Sequence, residues 1–272
     1  MGKTRLFSSF VFTLAAVLLL CSCASLKQAL QNPNYIYENG AVLVGGNDRP
    51  IELKNNSAAI DPSFSEMMAF VQQDSTDLIP YVAKGSPAGP TPFVCSDFAE
   101  ALHNNAEAAG LRAAYVGIDF SDSPIGHAVN AFQTTDKGLV FIDCTGPSLY
   151  SQLESGATAE SWDKQAFVQI GQEYGIIPLG KAESGDYLVY LQFKEDWRML
   201  RQLLASYNAE VKLYNQEVSG KVYRPGSPEM SAIRTWENRL NEQEQTINEL
   251  KARLGDSFFK PLGEVSNFFV HW

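Results

Sequence analysis

The residues of this sequence best suited to nucleophilic chemistry are Cys95 and His127. Cys95 begins a segment with helical periodicity, and the free N–H groups and dipole of a helix N-terminus stabilise a thiolate. His127 follows Gly126 and begins a segment with strand-like alternation. An imidazole can serve as the base for a thiol, so the two residues are candidates for a nucleophile and its partner. Cys144 is the other thiol beyond residue 23, and a disulfide between the two cysteines is the alternative.

Asp143 is the carboxylate that the strand pattern brings close to His127. Segments 127–132 and 139–143 flank the polar turn 134–138 and should form an antiparallel hairpin. In such a hairpin the residue numbers of two directly opposed residues add up to the same value along the whole ladder, and opposed residues share a face of the sheet. A sum of 270 places Asp143 opposite His127, with Cβ atoms about 5 Å apart, and a sum of 272 makes them diagonal neighbours at roughly 7–8 Å. An odd sum would place them on opposite faces. Alternation directs Cys144 to the face away from Asp143, which disfavours the disulfide.

The composition is that of a folded, acidic protein. Of 272 residues, 45% are hydrophobic, four are cysteine, and the formal net charge is −10. These values exclude a disordered, collagen-like or disulfide-scaffold chain. Nucleic acid is not an expected partner, because phosphate binding needs clustered Lys and Arg. The sequence predicts no cofactor and no metal site, since no close pair of Cys or His residues has zinc-type spacing.

The N-terminal region has the pattern of a targeting segment. Lys3 and Arg5 precede an apolar run at 10–20, which is shorter than the roughly 20 residues needed to span a bilayer. Such a run fits the hydrophobic region of a signal peptide, which we place at 1–22. Residues 20–23, Leu-Cys-Ser-Cys, resemble the bacterial lipobox, with Cys23 at the lipidated position. We therefore expect acyl chains, such as palmitate, on Cys23 to hold the protein at the cell membrane outside the cytoplasm. An uncleaved anchor or an unlipidated signal is the alternative.

The region from 23 to 193 predicts an α+β fold with an antiparallel sheet. Residues 23–60 should form a lipid-anchored tether with short strands at 35–37 and 41–44. A domain at 61–193 should contain a helix at 61–82, capped by Asp61 and followed by Pro62, and a helix at 95–109 that Gly110 ends. Helices followed by a run of strands favour this fold class. The predicted strands are 112–120, 127–132, 139–144, 167–172 and 187–193.

A change to heptad periodicity predicts an antiparallel helical hairpin, coiled-coil-like in its packing, at 194–256, followed by a C-terminal tail at 257–272. Ser227 and Pro228 are a favourable helix start, Gly255 is a favourable stop, and the polar seam residue Gln243 is expected to fix the register. The alternative is that the apolar stripes cover the globular domain. The hairpin is also the expected surface for a protein partner. The seam residues are Trp197, Leu200, Leu204, Tyr207, Val211, Tyr214, Val218, Ile233, Trp236, Leu240, Gln243, Ile247, Leu250 and Leu254.

Four blocks of this sequence, in order along the chain, resemble the transglutaminase-like superfamily over roughly 61–147. The resemblance implies a papain-like core, in which a helix that carries the cysteine packs against a sheet that supplies a histidine and an aspartate. Here the residue after the aspartate is cysteine, where the family usually has proline. The blocks are Val94-Cys95-Ser96-Asp97-Phe98-Ala99, Ala109-Gly110-Leu111-Arg112-Ala113-Ala114, Gly126-His127-Ala128-Val129-Asn130 and Phe141-Ile142-Asp143-Cys144-Thr145.

The resemblance also implies a role for each residue of the site. Cys95 would be the nucleophile, His127 the general base and later the acid, and Asp143 the residue that orients the imidazole. The backbone N–H of Cys95 and one upstream donor, Tyr81, would form an oxyanion hole. The thiolate would attack an amide carbonyl and leave a thioester, which water or a second amine would resolve.

Two functions follow as hypotheses. The first is an exported lipoprotein that acts as a cysteine protease, amidase or acyl transferase on peptide or envelope amides. The second is a non-catalytic binding or scaffold lipoprotein, in which the transglutaminase-like core and the helical hairpin are interaction surfaces. An intact Cys-His-Asp set favours the first, because a scaffold does not need all three residues.

Overall fold

The computed structural model describes residues 32–38, 40–86, 91–146, 162–255 and 258–272 and shows a mixed α/β protein with antiparallel sheets. The predicted signal peptide and Cys23 lie outside the described residues. In the part of the chain that is described, no helix is both long enough and apolar enough to cross a membrane. The elements, in chain order, are β1 (Tyr37–Glu38), β2 (Ala41–Val42), α1 (Phe64–Gln73), α2 (Cys95–Ala108), β3 (Ala114–Phe120), β4 (His127–Thr134), β5 (Gly138–Asp143), β6 (Lys164–Phe167), β7 (Gly175–Pro178), α3 (Tyr187–Val218), α4 (Pro228–Leu254) and β8 (Val265–His271).

The main sheet has six strands in the order β7-β6-β5-β4-β3-β8, and every neighbouring pair is antiparallel. The sheet curls until its two ends meet. The N–H of Tyr174 donates to the carbonyl of Gly263 at 2.8 Å, and the N–H of Val265 donates to the carbonyl of Gln172 at 2.8 Å. One apolar cluster fills the inside of this curl, and a second lies between the outer face and the helices α1 and α2.

Helix α2 is fixed to the sheet by packing and by one buried amide. Phe98 and Leu102 are fully buried against the outer face of β4 and β5. The Nδ2 of Asn130 in β4 donates to the carbonyl of Ala99 in the helix at 2.8 Å. Gly110 ends the helix with a φ of +83°, a left-handed conformation that favours glycine, as predicted. The first residue of this helix, Cys95, is thereby held above the sheet.

The prediction of a helix at 61–82 capped by Asp61 is wrong in both bounds. The helix begins after Ser63, whose hydroxyl accepts the N–H of Glu66 while the Glu66 carboxylate accepts the N–H of Ser63. This reciprocal capping box satisfies two free helix donors. The Asp61 carboxylate instead binds Arg112 through two hydrogen bonds of 2.7 and 2.8 Å. The helix ends at Gln73 and is followed by a 3-10 turn at Thr76–Leu78.

The strands predicted at 112–120, 127–132 and 139–144 correspond to β3, β4 and β5, but the later assignments need correction. The strand expected at 167–172 lies at Lys164–Phe167. The strand expected at 187–193 is wrong, because this segment is the first part of α3, capped by the carboxylate of Asp186. Strand β7 was not predicted. The expected tail at 257–272 contains β8, which pairs with β3.

The helices α3 and α4 pack on each other as an antiparallel hairpin along the predicted seam. The rings of Tyr214 and Trp236 meet edge to face at 5.5 Å, and Gln243 donates to Glu210 of the other helix at 3.2 Å. The base of the hairpin packs on the sheet, in a cluster that contains residues of both. The two ends of the hairpin lie next to each other at this base. Lys181, which precedes α3, donates from its Nζ to the carbonyl of Ala252, near the end of α4, at 2.8 Å.

Candidate active site

Cys95 is placed by the N-terminus of α2 and by the segment that precedes it. The backbone groups of Val82 and Phe93 form two hydrogen bonds of 2.9 Å, which hold the incoming chain beside the helix. The Asp97 carboxylate accepts the N–H of Val94 at 2.8 Å and so caps the first turn. Cys95 is a free, partly buried thiol, and the His127 imidazole and the backbone N–H of Ala128 lie close enough to lower its pKa.

His127 is brought to Asp143 by the register of the β4–β5 hairpin. Asn130 pairs with Ile142, which gives the residue-number sum of 272, one of the two predicted registers. His127 and Asp143 are therefore diagonal neighbours on the same face, and His127 Nε2 donates to Asp143 Oδ2 at 3.0 Å. The other ring nitrogen, Nδ1, is left for Cys95. A Cβ on Gly126 would lie 2.6 Å from the carbonyl oxygen of Ile118 in β3, so glycine is required before this histidine.

Both carboxylate oxygens of Asp143 accept hydrogen bonds from neighbouring residues. Besides His127, the buried hydroxyl of Tyr174 donates to Oδ2 at 2.9 Å, and the N–H of Thr145 donates to Oδ1 at 2.9 Å. The ammonium group of Lys164 lies 3.8 Å from Oδ1. The Tyr174 ring also contacts the imidazole of His127 edge to face at 5.4 Å. These contacts fix the carboxylate and the ring that it orients.

Lys164 is a buried cation at the centre of this network, with 5% of its surface exposed. It is the direct partner of Asp143 in the β5–β6 pairing. Its ammonium group donates to the carbonyl of Thr145 at 2.8 Å and to the carbonyl of Trp162 at 2.5 Å. Because a buried charge is costly unless it is paired and hydrogen-bonded, the Lys164 ammonium group offsets the cost of burying the Asp143 carboxylate.

The charges of these groups support a thiolate–imidazolium pair. Burial disfavours ionisation of Asp143, but Lys164 and then His127 hold the pKa of that carboxyl well below its usual range. Burial also opposes a charge on His127, yet the charge and hydrogen bond of Asp143, followed by those of Cys95, raise the pKa of His127 to about 10. Burial opposes the Cys95 thiolate, but the hydrogen bond and charge of His127 and the N–H of Ala128 lower the pKa of Cys95.

A cavity of about 390 Å³ lies beside the thiol. Cys95, His127 and Tyr81 lie on its wall, together with apolar side chains that include Phe120 and Ile125. The ring of Tyr81 stacks on Phe98 with centroids 6.4 Å apart. Burial and then the charge of Cys95 raise the pKa of Tyr81, so that its hydroxyl is a neutral donor. The structure thus brings Tyr81, predicted as an oxyanion donor, to the same cavity as Cys95.

Cys144 lies apart from this site. It is buried on the outer face of the sheet, where its sulfur donates to the carbonyl of Phe98 at 3.7 Å, and it is a free thiol. The disulfide alternative is therefore wrong for the described structure. The sequence did not predict Tyr174 or Lys164. A buried Tyr-Gly pair and a lysine before an apolar run carry no signal until the strand order is known.

Among the described residues, no three His, Cys, Asp or Glu side chains converge as a metal site requires. Comparison of the chain with models of protein families found no matching family. Comparisons with curated proteins and with solved structures also found no match.

Proposed function

We propose that this protein is an exported, lipid-anchored cysteine acyl-transfer enzyme, a protease, amidase or acyl transferase that acts on peptide or envelope amides. The observation that carries the proposal is that His127, hydrogen-bonded to Asp143, lies beside Cys95 on one cavity wall and lowers the pKa of its thiol. Nucleophile, base and orienting carboxylate in hydrogen-bonded sequence are the arrangement that activates a thiol for attack on an amide.

The chemistry would begin with attack of the Cys95 thiolate on the amide carbonyl carbon. The negative charge then forms on the carbonyl oxygen, where the N–H of Cys95 at the start of α2 and the hydroxyl of Tyr81 would stabilise it. His127 Nδ1 would give its proton to the departing amine, while its Nε2 remains bound to Asp143. Water or a second amine, deprotonated by the neutral imidazole, would then cleave the thioester and restore the thiol.

The proposal includes a transglutaminase-like, papain-like core. It is supported by a cysteine at a helix N-terminus, by the histidine and aspartate on adjacent antiparallel strands, and by the chain order Cys, His, Asp. The lipid anchor and the location outside the cytoplasm are supported by the signal-like run at 10–20 and by Cys23 within its lipobox. No nucleic acid, cofactor or metal takes part in the proposed reaction.

The direct test is incubation of the protein with bacterial envelope material and analysis of released or cross-linked fragments by mass spectrometry. Cys95→Ala should abolish the products, whereas Cys144→Ala, which removes a buried thiol outside the cavity, should retain them. Labelling with a peptide chloromethyl ketone gives a second readout. If Cys95 reacts no faster than an exposed cysteine near neutral pH, and His127→Ala does not slow it, a non-catalytic binding or scaffold lipoprotein is the better interpretation.

A further inference from the structure

A second cavity, of about 240 Å³, meets the first one at Cys95 and His127. Its walls differ from those of the first cavity. Two carboxylates, Glu38 at the end of β1 and Asp119 in β3, lie on its wall, together with the aromatic side chains of Tyr115 and Phe269. The thiol therefore lies between a mainly apolar cavity and an acidic one.

The acidic cavity carries net negative charge. Among its described lining residues there is no lysine or arginine. The Cys95 thiolate and the His127 imidazolium cancel each other's charge, which leaves Glu38 and Asp119 uncompensated. Burial and then the charge of Asp119 raise the pKa of Glu38, so the two carboxylates act on the same space. A positively charged group in that space would relieve their repulsion.

Tyr115 provides an independent indication of a polar ligand. It is 1% exposed, and its ring packs among apolar side chains that include Ile36 and Ala128. Its hydroxyl has no hydrogen-bond partner among the described residues, although the residue lies on the wall of the acidic cavity. The hydroxyl is not among the side-chain atoms that are sealed from solvent, so a ligand in the cavity can reach it. Because the ring is enclosed by apolar neighbours, the cavity is where that hydroxyl can meet a partner.

An aromatic side chain also lies on the wall of the acidic cavity. A Cβ on Gly117 would lie 2.0 Å from Phe269 Cζ, so the Phe269 ring lies directly against the backbone of β3 and forms part of the cavity wall. The face of an aromatic ring attracts ammonium and guanidinium groups. Two carboxylates, one unpaired hydroxyl and one aromatic ring are the groups that recognise such a cation.

We infer that this cavity binds a cationic side chain of the substrate, an ammonium or guanidinium group next to the reacting amide. The inference rests on the proposed function in one respect, namely that Cys95 is the reacting group. The acidic cavity would make the enzyme select amides flanked by a positive charge, while the larger cavity accepts an apolar neighbour.

The test uses three methanethiosulfonate reagents that differ in charge: the cationic aminoethyl, the neutral methyl and the anionic sulfonatoethyl compound. Each forms a mixed disulfide with Cys95 Sγ and releases methanesulfinate. Rates at Cys95 are measured on the full chain by peptide mass mapping. The ratio of the cationic to the neutral rate reports charge selection, and the neutral rate alone reports thiol reactivity.

Glu38→Gln and Asp119→Asn should each lower the cationic-to-neutral ratio about fivefold, as expected for one unit charge at a distance of several ångströms in a partly solvated cavity. They should raise the anionic-to-neutral ratio. Glu244→Gln, at an exposed position on α4, removes the same charge far from the cavity and should change neither ratio. Glu38→Gln suffices if Asp119→Asn, which weakens the hydrogen bond from Asn267, fails to fold.

Unchanged ratios in both cavity variants would overturn the inference of a cation site. Failure of the proposed function has a different signature. In that case the neutral reagent reacts slowly with Cys95 in the wild type, and His127→Ala leaves that rate unaltered, whatever the ratios are.

Discussion

Asp143→Asn should remove the charge that keeps His127 protonated. The pKa of His127 rises from 6.5 to about 10, and this difference corresponds to about 5 kcal/mol in favour of the imidazolium. Without the carboxylate, burial opposes the charge on His127 and only Cys95 still favours it, so the pKa of His127 should fall. Cys95 then loses its cationic partner near neutral pH, and its partly buried thiol should titrate at or above the ordinary pKa.

The assay is alkylation of Cys95 by iodoacetamide, followed by peptide mass mapping between pH 4 and 10. At pH 6.5 an ordinary thiol is about 1% thiolate, whereas the thiol of an ion pair is largely thiolate, a difference of up to about 100-fold. The lower basicity of the paired thiolate offsets part of this gain. We therefore expect the variant to react about tenfold more slowly than the wild type at pH 6.5.

The same substitution has a cost in stability that must be separated from the effect on reactivity. It leaves the buried Lys164 without its anionic neighbour, which should cost about 3–5 kcal/mol. The double variant Asp143→Asn/Lys164→Met removes both charges and should recover part of that loss while Cys95 remains slow. Asp48→Asn, whose side chain is 82% exposed, is the matched control and should alter neither property. An Asp143→Asn variant with the wild-type alkylation profile would refute the role given to the carboxylate.

Three further predictions concern stability. Tyr174→Phe keeps the buried ring but loses the hydrogen bond to Asp143, and should lower the free energy of unfolding in urea by about 1.5–3 kcal/mol; a change within error would contradict that bond. Ser63→Ala breaks the capping box of α1 and should cost about 1 kcal/mol, whereas Ser65→Ala, at an exposed position, should cost little. The contribution of His127, measured against His127→Gln, should be complete below pH 6.5 and should disappear as the pH rises through about 10, because only the folded state holds the proton in that range. A difference that stays constant from pH 5 to 11 would contradict the raised pKa.

The hairpin that carries His127 and Asp143 could be predicted because its register is restricted by local features. A short polar turn limits the hairpin to a few registers. In both registers with an even residue-number sum, His127 and Asp143 lie on one face of the sheet. The helix start at Cys95 and its stop at Gly110 likewise depend on neighbouring residues. These parts of the site follow from interactions that are close in sequence.

The remaining parts of the site depend on contacts between distant segments. Lys164 reaches Asp143 because β6 is the neighbour of β5. Tyr174 reaches Asp143 because it directly precedes β7, at the point where the chain comes back to the sheet. Neither placement follows from local periodicity. The segment 187–193 was misassigned because its apolar residues fit an alternating pattern, while the buried positions Tyr190 and Phe193 have helical spacing. Short apolar runs fit the two-residue period of a strand as well as the 3.6-residue period of a helix. The N-cap at Asp186 is the local feature that indicates the helix.

The hairpin of α3 and α4 begins and ends at one place on the sheet. Lys181 and Ala252 are bonded across that junction, so the hairpin can lose or gain equal heptads in both arms without moving any strand. Each heptad changes its reach by about 10 Å, and the 32 residues of α3 extend about 48 Å. The length of this arm can therefore vary independently of the candidate active site, and it sets how far from the sheet the molecule can make contacts.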